Sequence, residues 1–295
     1  MQDILKSNTP AFVFDTAALK KRVAQIKEIV GETVSLCYSM KANPFFVPAM
    51  ITCVDKLEVC SPGELTICKK LGVDASRIIY SGVNKEIPDI KEAYEYGVGT
   101  FTAESVRQAD LIQQVVETAA AGEKAEVILR LNSGSQFGMS KEDLLTILQC
   151  RESKYTSLNF TGIHYFVGTQ RKRAKRKIKE LQMLLELFEE IQNKYGLKLK
   201  KLEYGPGFAV PYFEDDDFED TLYPVKELKD TLKQVAQQVD LTIEMGRFFT
   251  AECGTYYTNV ADLKTVGNAH YCILDGGMNH LTYLGQMMGM KTPII

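Results

Sequence analysis

The residue with the most chemical reach in this chain is Lys41, inside Tyr38-Ser39-Met40-Lys41-Ala42-Asn43-Pro44 and directly after the apolar, β-branched run Val34-Ser35-Leu36-Cys37. The run reads as a buried strand, and the proline ends it and opens a loop. A lysine there points into whatever mouth the sheet presents. Its small or apolar neighbours leave the amine partly desolvated, which lowers a lysine's pKa and makes it a nucleophile able to form a Schiff base. An isolated lysine would instead be read as a solvated surface residue. Gly205-Pro206-Gly207 lets backbone N–H groups approach a phosphate, although such a triplet also serves as a plain turn. Arg247, opening a short helix, adds a planar cation, and Thr169 adds a hydroxyl for the same anion. Glu244 is either a carboxylate bridged to Arg247 three residues on, or the acid that faces a pyridine nitrogen and keeps it protonated. A nucleophilic lysine, a phosphate cradle and such an acid are the set that pyridoxal 5′-phosphate requires. With Glu244 in that place the ring is a strong electron sink for decarboxylation, whereas an arginine would favour a racemase.

These residues need elements to position them, and the sequence supplies a regular alternation. Short apolar strands are expected at Val34–Tyr38, Leu57–Cys60, Arg77–Ser81, Gly97–Phe101, Glu126–Leu131, Leu158–Ile163, Leu202–Tyr204 and Leu241–Glu244. Helical spacing lies between them, as in Leu65/Cys68/Leu71, Val106/Leu111/Val115 and the Ile178-to-Tyr195 stripe. Eight such units predict an α/β fold, a parallel (β/α)8 TIM barrel; no Gly-x-Gly-x-x-Gly follows the first strand, as a doubly wound sheet would normally require. In a barrel the residues just after each strand converge on one face. Here those positions hold Lys41, Ser61 to Glu64, Gly82 to Lys85, Thr102 and Glu104, Arg130 with Asn132, His164 with Phe166 to Gln170, Gly205 to Gly207, and Glu244 to Arg247. The barrel is expected over residues 1–254. A helix from Phe248 to Cys253 would end at Gly254, and strands at Thr255–Leu263 and Tyr271–Leu274 would begin a C-terminal β region over 255–295. The early strand within Thr9–Asp15 is a candidate to pair with that region.

Size and composition narrow the class further. The 295 residues are 45% hydrophobic with a net charge of −3, enough for a full core and without the basic, aromatic-interleaved stripe of a nucleic-acid binder. No run is long enough to cross a bilayer and the N-terminus lacks a basic start followed by an apolar core, so a cytoplasmic location is expected. Seven cysteines, among them Cys37, Cys53, Cys68 and Cys272, read as buried reduced thiols, and no Cys-x-x-Cys or His-x-x-x-His pair points to a metal. Arg171-Lys172-Arg173-Ala174-Lys175-Arg176-Lys177 reads as the solvated start of a long helix, and Glu214-Asp215-Asp216-Asp217 as a loop.

Taken in order, Thr9-Pro10…Val13-Phe14-Asp15, Tyr38 to Asn43, Ser61-Pro62-Gly63-Glu64-Leu65, Gly162-Ile163-His164-Tyr165-Phe166-Val167-Gly168-Thr169-Gln170, Tyr204-Gly205-Pro206-Gly207-Phe208 and Glu244-Met245-Gly246-Arg247 resemble the fold-type III pyridoxal-phosphate decarboxylases. That group includes the diaminopimelate and ornithine decarboxylases. The resemblance implies that Lys41 carries the cofactor, that Glu244 pairs with its pyridine nitrogen, and that Thr169, Gly205, Gly207 and Arg247 surround its phosphate, with Arg130, His164, Phe166 and Gly246 also at the site. It further implies an amino-acid substrate, basic or diamino, and a dimer.

Two departures stand out. Phe166 occupies the position where most members stack a histidine on the ring; an aromatic side chain can stack but cannot share a proton. His164, two residues earlier, faces the same side by strand alternation, and is read either as lining the site or as a core histidine. Pro206 removes one backbone donor from the glycine turn. Members of the group also continue into a β domain that supplies a cysteine proton donor, a substrate-binding acid and a late tyrosine. Asp275-Gly276-Gly277-Met278-Asn279 resembles its start, and none of the seven cysteines matches the donor's motif. The expectation is a decarboxylase lacking most of that domain, either completed by another polypeptide that brings the β domain or working alone with reduced capability, and as a homodimer or with that complementing chain. A cofactor-binding regulatory barrel without turnover is the alternative, and a racemase the third.

Overall fold

The computed structural model describes residues 8–119, 123–213, 216 and 219–280. The chain opens with strand β1 (Ala11–Phe14) and helix α1 (Thr16–Val30), whose start is fixed by the Asp15 carboxylate accepting from the Ala17 and Ala18 N–H groups. Eight strands then alternate with helices: β2 (Ser35–Ser39), β3 (Lys56–Val59), β4 (Ile78–Tyr80), β5 (Thr100–Ala103), β6 (Ala125–Arg130), β7 (Leu158–Phe166), β8 (Lys201–Gly205) and β9 (Asp240–Met245). They pair in parallel and in order, and β9 closes on β2, so β2 through β9 form a closed barrel of the predicted kind.

The strand period of two divides each strand between two environments. Outward residues such as Leu36, Leu57, Ile78, Phe101, Val127, Ile163, Leu202 and Ile243 are buried against the helices and form the main core with Leu19, Val23, Ile26, Leu65 and Ile112. The alternate residues point into the barrel. Cys37, Ile79 and Ile128 make a small apolar cluster of their own, and the other inward positions are largely polar. The polar set is positioned by the same register that closes the sheet, with Cys37 opposite Glu244 and Ser39 opposite Glu58.

β1 pairs antiparallel with β10 (Gly254–Tyr257), and β11 (Val260–Val266) with β12 (Ala269–Leu274). The single strand expected at Thr255–Leu263 is thus two. The break falls where Asp275 Oδ1 accepts from the Thr258 hydroxyl and the Asn259 N–H, at 2.7 and 2.9 Å, and diverts the chain. Buried Arg22 of α1 donates to Phe248 O and to Glu252, both at 2.7 Å, and anchors the segment after β9.

Two expectations from the sequence need correction. Cys272 is exposed, as is every residue of β12, and Cys53 is only half-buried; all seven cysteines are free thiols. The basic run 171–177 is not uniformly solvated. Arg171 forms a bidentate pair with Glu180, and Lys177 is buried, donating to Arg171 O at 2.7 Å. Burial brings the Lys177 amine down to about 8. Of the acidic run, only Asp216 lies within the described residues; it pairs with Lys172 at 2.9 Å. Among the described residues no helix is long and apolar enough to cross a membrane.

Candidate active site

The C-terminal ends of the strands surround a cavity of about 570 Å³. Lys41, Phe166, Thr169, Gly207, Glu244, Gly246 and Arg247 all line it. β2 ends at Ser39, and a 3-10 turn over Met40–Ala42 presents Lys41 to the opening, with its side chain half exposed.

Three loop contacts set the shape of the rim. Gln170, after β7, grips the loop after β8 through both ends of its amide: Nε2 donates to Val210 O at 2.8 Å and Oε1 accepts from Val210 N at 2.9 Å. Arg171 N donates to Gly207 O at 2.9 Å. Gly207 adopts φ +57°, and a Cβ there would fall on the Gly168 carbonyl oxygen, so only glycine lets the two loops close. Gly205 lies behind the lining, where a Cβ would meet both the Phe166 ring and Glu244 Oε1. The Arg247 guanidinium lies over Tyr212, 5.2 Å from the ring centroid, and opens a single helical turn over Arg247–Thr250. Glu244 does not bridge to it; its Oε2 lies 3.2 Å from His164 Nε2.

The electrostatics of Lys41 differ from the sequence expectation. Burial acts to lower its pKa, as anticipated, but the neighbouring charges of Glu58 and Glu244 outweigh it and the net shift is upward. Lys41 Nζ donates to Glu58 Oε2 at 2.8 Å and Oε1 at 3.1 Å, and approaches Cys60 Sγ at 3.7 Å. The amine therefore rests as an ammonium clamped to a buried acid, and becomes a nucleophile only on giving up a proton. Glu58 is held down to about 2: burial pushes it up, and the Lys41 charge and hydrogen bonds overcome that. The Cys60 thiol is pushed up by burial and by Glu58, and donates to Glu58 Oε1 at 3.3 Å.

Two other predicted residues fall away from the lining. His164 is buried beneath Glu244, one step down β7 from Phe166. Arg130 is committed to Glu104, with Nη1 donating to Oε1 at 2.6 Å, and its guanidinium sits 5.1 Å from the Phe137 ring centroid. The Ser61–Glu64 cluster is used locally as a helix cap, with Ser61 Oγ accepting from Glu64 N and Glu64 accepting from Cys60 N.

Sequence reasoning passed over Glu58 and Glu203. Their signal was the strand period itself. Leu57-Glu58-Val59 and Leu202-Glu203-Tyr204 each set a carboxylate between outward apolar residues, which sends it into the barrel.

This chain belongs to the family described as pyridoxal-dependent decarboxylase, pyridoxal binding domain, which matches residues 16–251. Among individual relatives, it is 27% identical over 310 residues to the L-glutamyl-[BtrI acyl-carrier protein] decarboxylase of Niallia circulans, covering 97% of this chain and 72% of the relative. It is 27% identical over 292 residues to the diaminopimelate decarboxylase of Aquifex aeolicus, covering 92% and 67%. Among solved structures, AQ1208 from Aquifex aeolicus superposes with a TM-score of 0.86 at 25% identity, over 99% of this chain and 71% of that one. The lysine decarboxylase of Selenomonas ruminantium gives 0.82 at 24%, over 94% and 73%, a likeness of fold.

The cofactor in the family's name is pyridoxal 5′-phosphate, and the cavity fits it on physical grounds. An amine and a buried carboxylate face one space, and the Gly207 turn, Thr169 and Arg247 supply donors at its rim. The Glu244 carboxylate, which lines the cavity, is the acid a pyridinium N–H would satisfy.

Proposed function

We propose that this chain is a pyridoxal-5′-phosphate-dependent decarboxylase of a basic or diamino acid, with Lys41 as the residue that carries the cofactor. The observation that carries the reading is the placement of Lys41 and Glu244 in one cavity, with the positive-φ Gly207 turn and Arg247 on its rim. Bound there, the cofactor supplies an electron sink for the pair released as a carboxylate leaves as CO2. The residues prepare it in distinct ways. Glu58 holds the Lys41 ammonium in place at the cavity and keeps it protonated until the pair is broken. Glu244, 5% exposed, offers a carboxylate whose negative charge would favour the protonated form of a facing ring nitrogen. Thr169, Gly207, Gly246 and Arg247, which line the cavity, would hold the phosphate, and Phe166 would lie against the ring with no proton to exchange.

Visible absorption of the purified protein with added pyridoxal 5′-phosphate tests the first part. A band is expected in the wild type and none in Lys41→Ala; an identical band in both refutes the role of Lys41. CO2 release is then measured from lysine, ornithine, arginine and diaminopimelate. A band with no release from any of them would favour the cofactor-binding barrel without turnover.

A further inference from the structure

Beneath Glu244 the barrel encloses a group of side chains that the proposed reaction leaves unused. His164, Glu203 and Glu244 are all at most 5% exposed, and a ring nitrogen and one carboxylate oxygen from each acid lie within 4.8 Å of one another. Both Glu203 oxygens, both His164 ring nitrogens and Glu244 Oε2 have no hydrogen bond of good geometry within the protein. Hydrogen-bonding capacity buried this deeply calls for a proton or an ion shared among the three.

Charge and enclosure favour the proton. Glu58, the third interior acid, is already neutralised by Lys41. That leaves Glu203 and Glu244 as neighbouring carboxylates in a dry site, where like charges raise the pKa of one of them. Glu244 borders the open cavity, and its charge is felt by the Lys41 amine. Glu203 borders no open space. Its other side meets a void of only about 10 Å³, lined by Lys56, Ile79, Thr100, Ile128, Lys201 and Thr242, too small for more than a single water. The two lysines there are otherwise engaged: Lys56 Nζ reaches Thr242 Oγ1 at 3.3 Å, and Lys201 pairs with Glu126. The titratable groups around Glu203 are Cys37 on β2, Lys56 and Glu58 on β3, His164 on β7, Lys201 on its own strand β8, Glu244 on β9, and Lys41 after β2. Burial, then the Glu244 and Glu58 charges, push Glu203 upward, against smaller pulls from Lys56 and Lys41.

We propose that Glu203 is a positioning residue that stays protonated at neutral pH. Lodged behind Glu244 and His164, the neutral acid places no second negative charge beside the Glu244 carboxylate and backs it at the cavity. The inference deepens the assignment of Glu244 as the cofactor's acidic partner and rests on that reading, while the proton itself belongs to this chain alone.

Infrared spectroscopy of the cofactor-free protein reads that proton directly. A protonated-carboxylic-acid C=O band is expected at neutral pH in the wild type and lost in Glu203→Gln. Its absence from the wild type, or its persistence in Glu203→Gln, overturns the proposal, and the wild-type measurement stands even where the variant does not fold. Function supplies the second readout. Gln is an uncharged isostere of the protonated acid, so Glu203→Gln should keep pyridoxal 5′-phosphate affinity and the pH profile of the visible band within about threefold of wild type. A loss of about tenfold or more, the scale of a hydrogen bond to a charged group, would mean that Glu203 works as an anion. Stoichiometric uptake of Zn2+ or Co2+, abolished in Glu203→Gln, would overturn the proposal by placing a cation where we place a proton. Failure of the wild type to take up cofactor would count against the proposed function and leave the infrared result standing.

Discussion

The Lys41–Glu58 pair makes a sharp prediction because its two sides are so unequal: the Glu58 carboxylate is 2% exposed and the Lys41 side chain 48%. Glu58 is held at about 2 against an ordinary 4.5. That difference corresponds to about 3 kcal/mol of stability at neutral pH. The folded-state value is the lower one, so the contribution is fully present above pH 4.5 and is lost as pH falls towards 2. By pH 3 about 2 kcal/mol of it should be gone. Glu58→Gln keeps the shape and removes the charge, and the stranded Lys41 ammonium can turn to water in the cavity, which spares it most of the cost of an unpaired buried ion. The variant should therefore be less stable than wild type by about 3 kcal/mol at pH 7, with the gap closing to about 1 kcal/mol at pH 3. Urea unfolding followed by circular dichroism across that range measures the gap. A gap that is absent at pH 7, or that does not change with pH, refutes the pairing as the source of the Glu58 shift. Relieved of Glu58, the amine also loses its proton more readily, so Glu58→Gln should shift the pH dependence of cofactor capture towards lower pH.

Other positions give independent checks. Gly207→Ala forces a Cβ onto the Gly168 carbonyl at φ +57°, and should cost about 2 kcal/mol or more by chemical denaturation, with a fall in cofactor affinity by titration. Lys85 is buried, donates to Gly82 O and Gln108 Oε1, and is brought down to about 8 by burial. Its folded value is below its unfolded one, so it should add up to about 3 kcal/mol to stability as pH rises from 8 to 10.5. Lys85→Met should lack that rise in paired unfolding curves. Phe166→His puts a titratable ring beside the cavity where none stands now, and the absorption of the cofactor-bound variant should gain a pH-dependent step near 6.5 that the wild type lacks. An unchanged profile would mean that position 166 does not contact the ring.

The eight strands were legible because their outward halves are apolar and their ends are marked by glycine, proline and capping residues. The residues gathered at the mouth were legible for the same reason: a strand end in a parallel barrel fixes where Lys41, Thr169, Gly207, Glu244 and Arg247 go. Pairings were not legible, because they depend on register and side-chain reach rather than on order along the chain. Ser39 sits opposite Glu58 only once β2 and β3 are aligned, and that alignment turns the expected lowering of the Lys41 pKa into a rise. Arg130 ends β6 as Met245 ends β9, yet Glu104, just after the adjacent β5, captures it. In the basic run, the long aliphatic stems of Arg171 and Lys177 carry their heads back to Glu180 and to a backbone carbonyl, which a count of charges does not reveal.

The largely polar interior of this barrel follows from what the mouth must hold. A carboxylate that stays charged in a dry cavity needs its neighbours arranged so that no second negative charge competes with it. Lys41 neutralises Glu58 on one side. On the other, His164 stands 3.2 Å from Glu244, with Glu203 beneath. Below them, Cys37, Ile79 and Ile128 fill the barrel with apolar bulk, and the void at that depth is too small to admit bulk water. Solvent therefore cannot relieve an unbalanced charge from that end. The interior thus combines two lysines, an apolar cluster, a proton-holding acid and an imidazole with a carboxylate that lines the cavity. Phe166 fits the same arrangement: an apolar ring at the mouth leaves the proton balance to the groups below it.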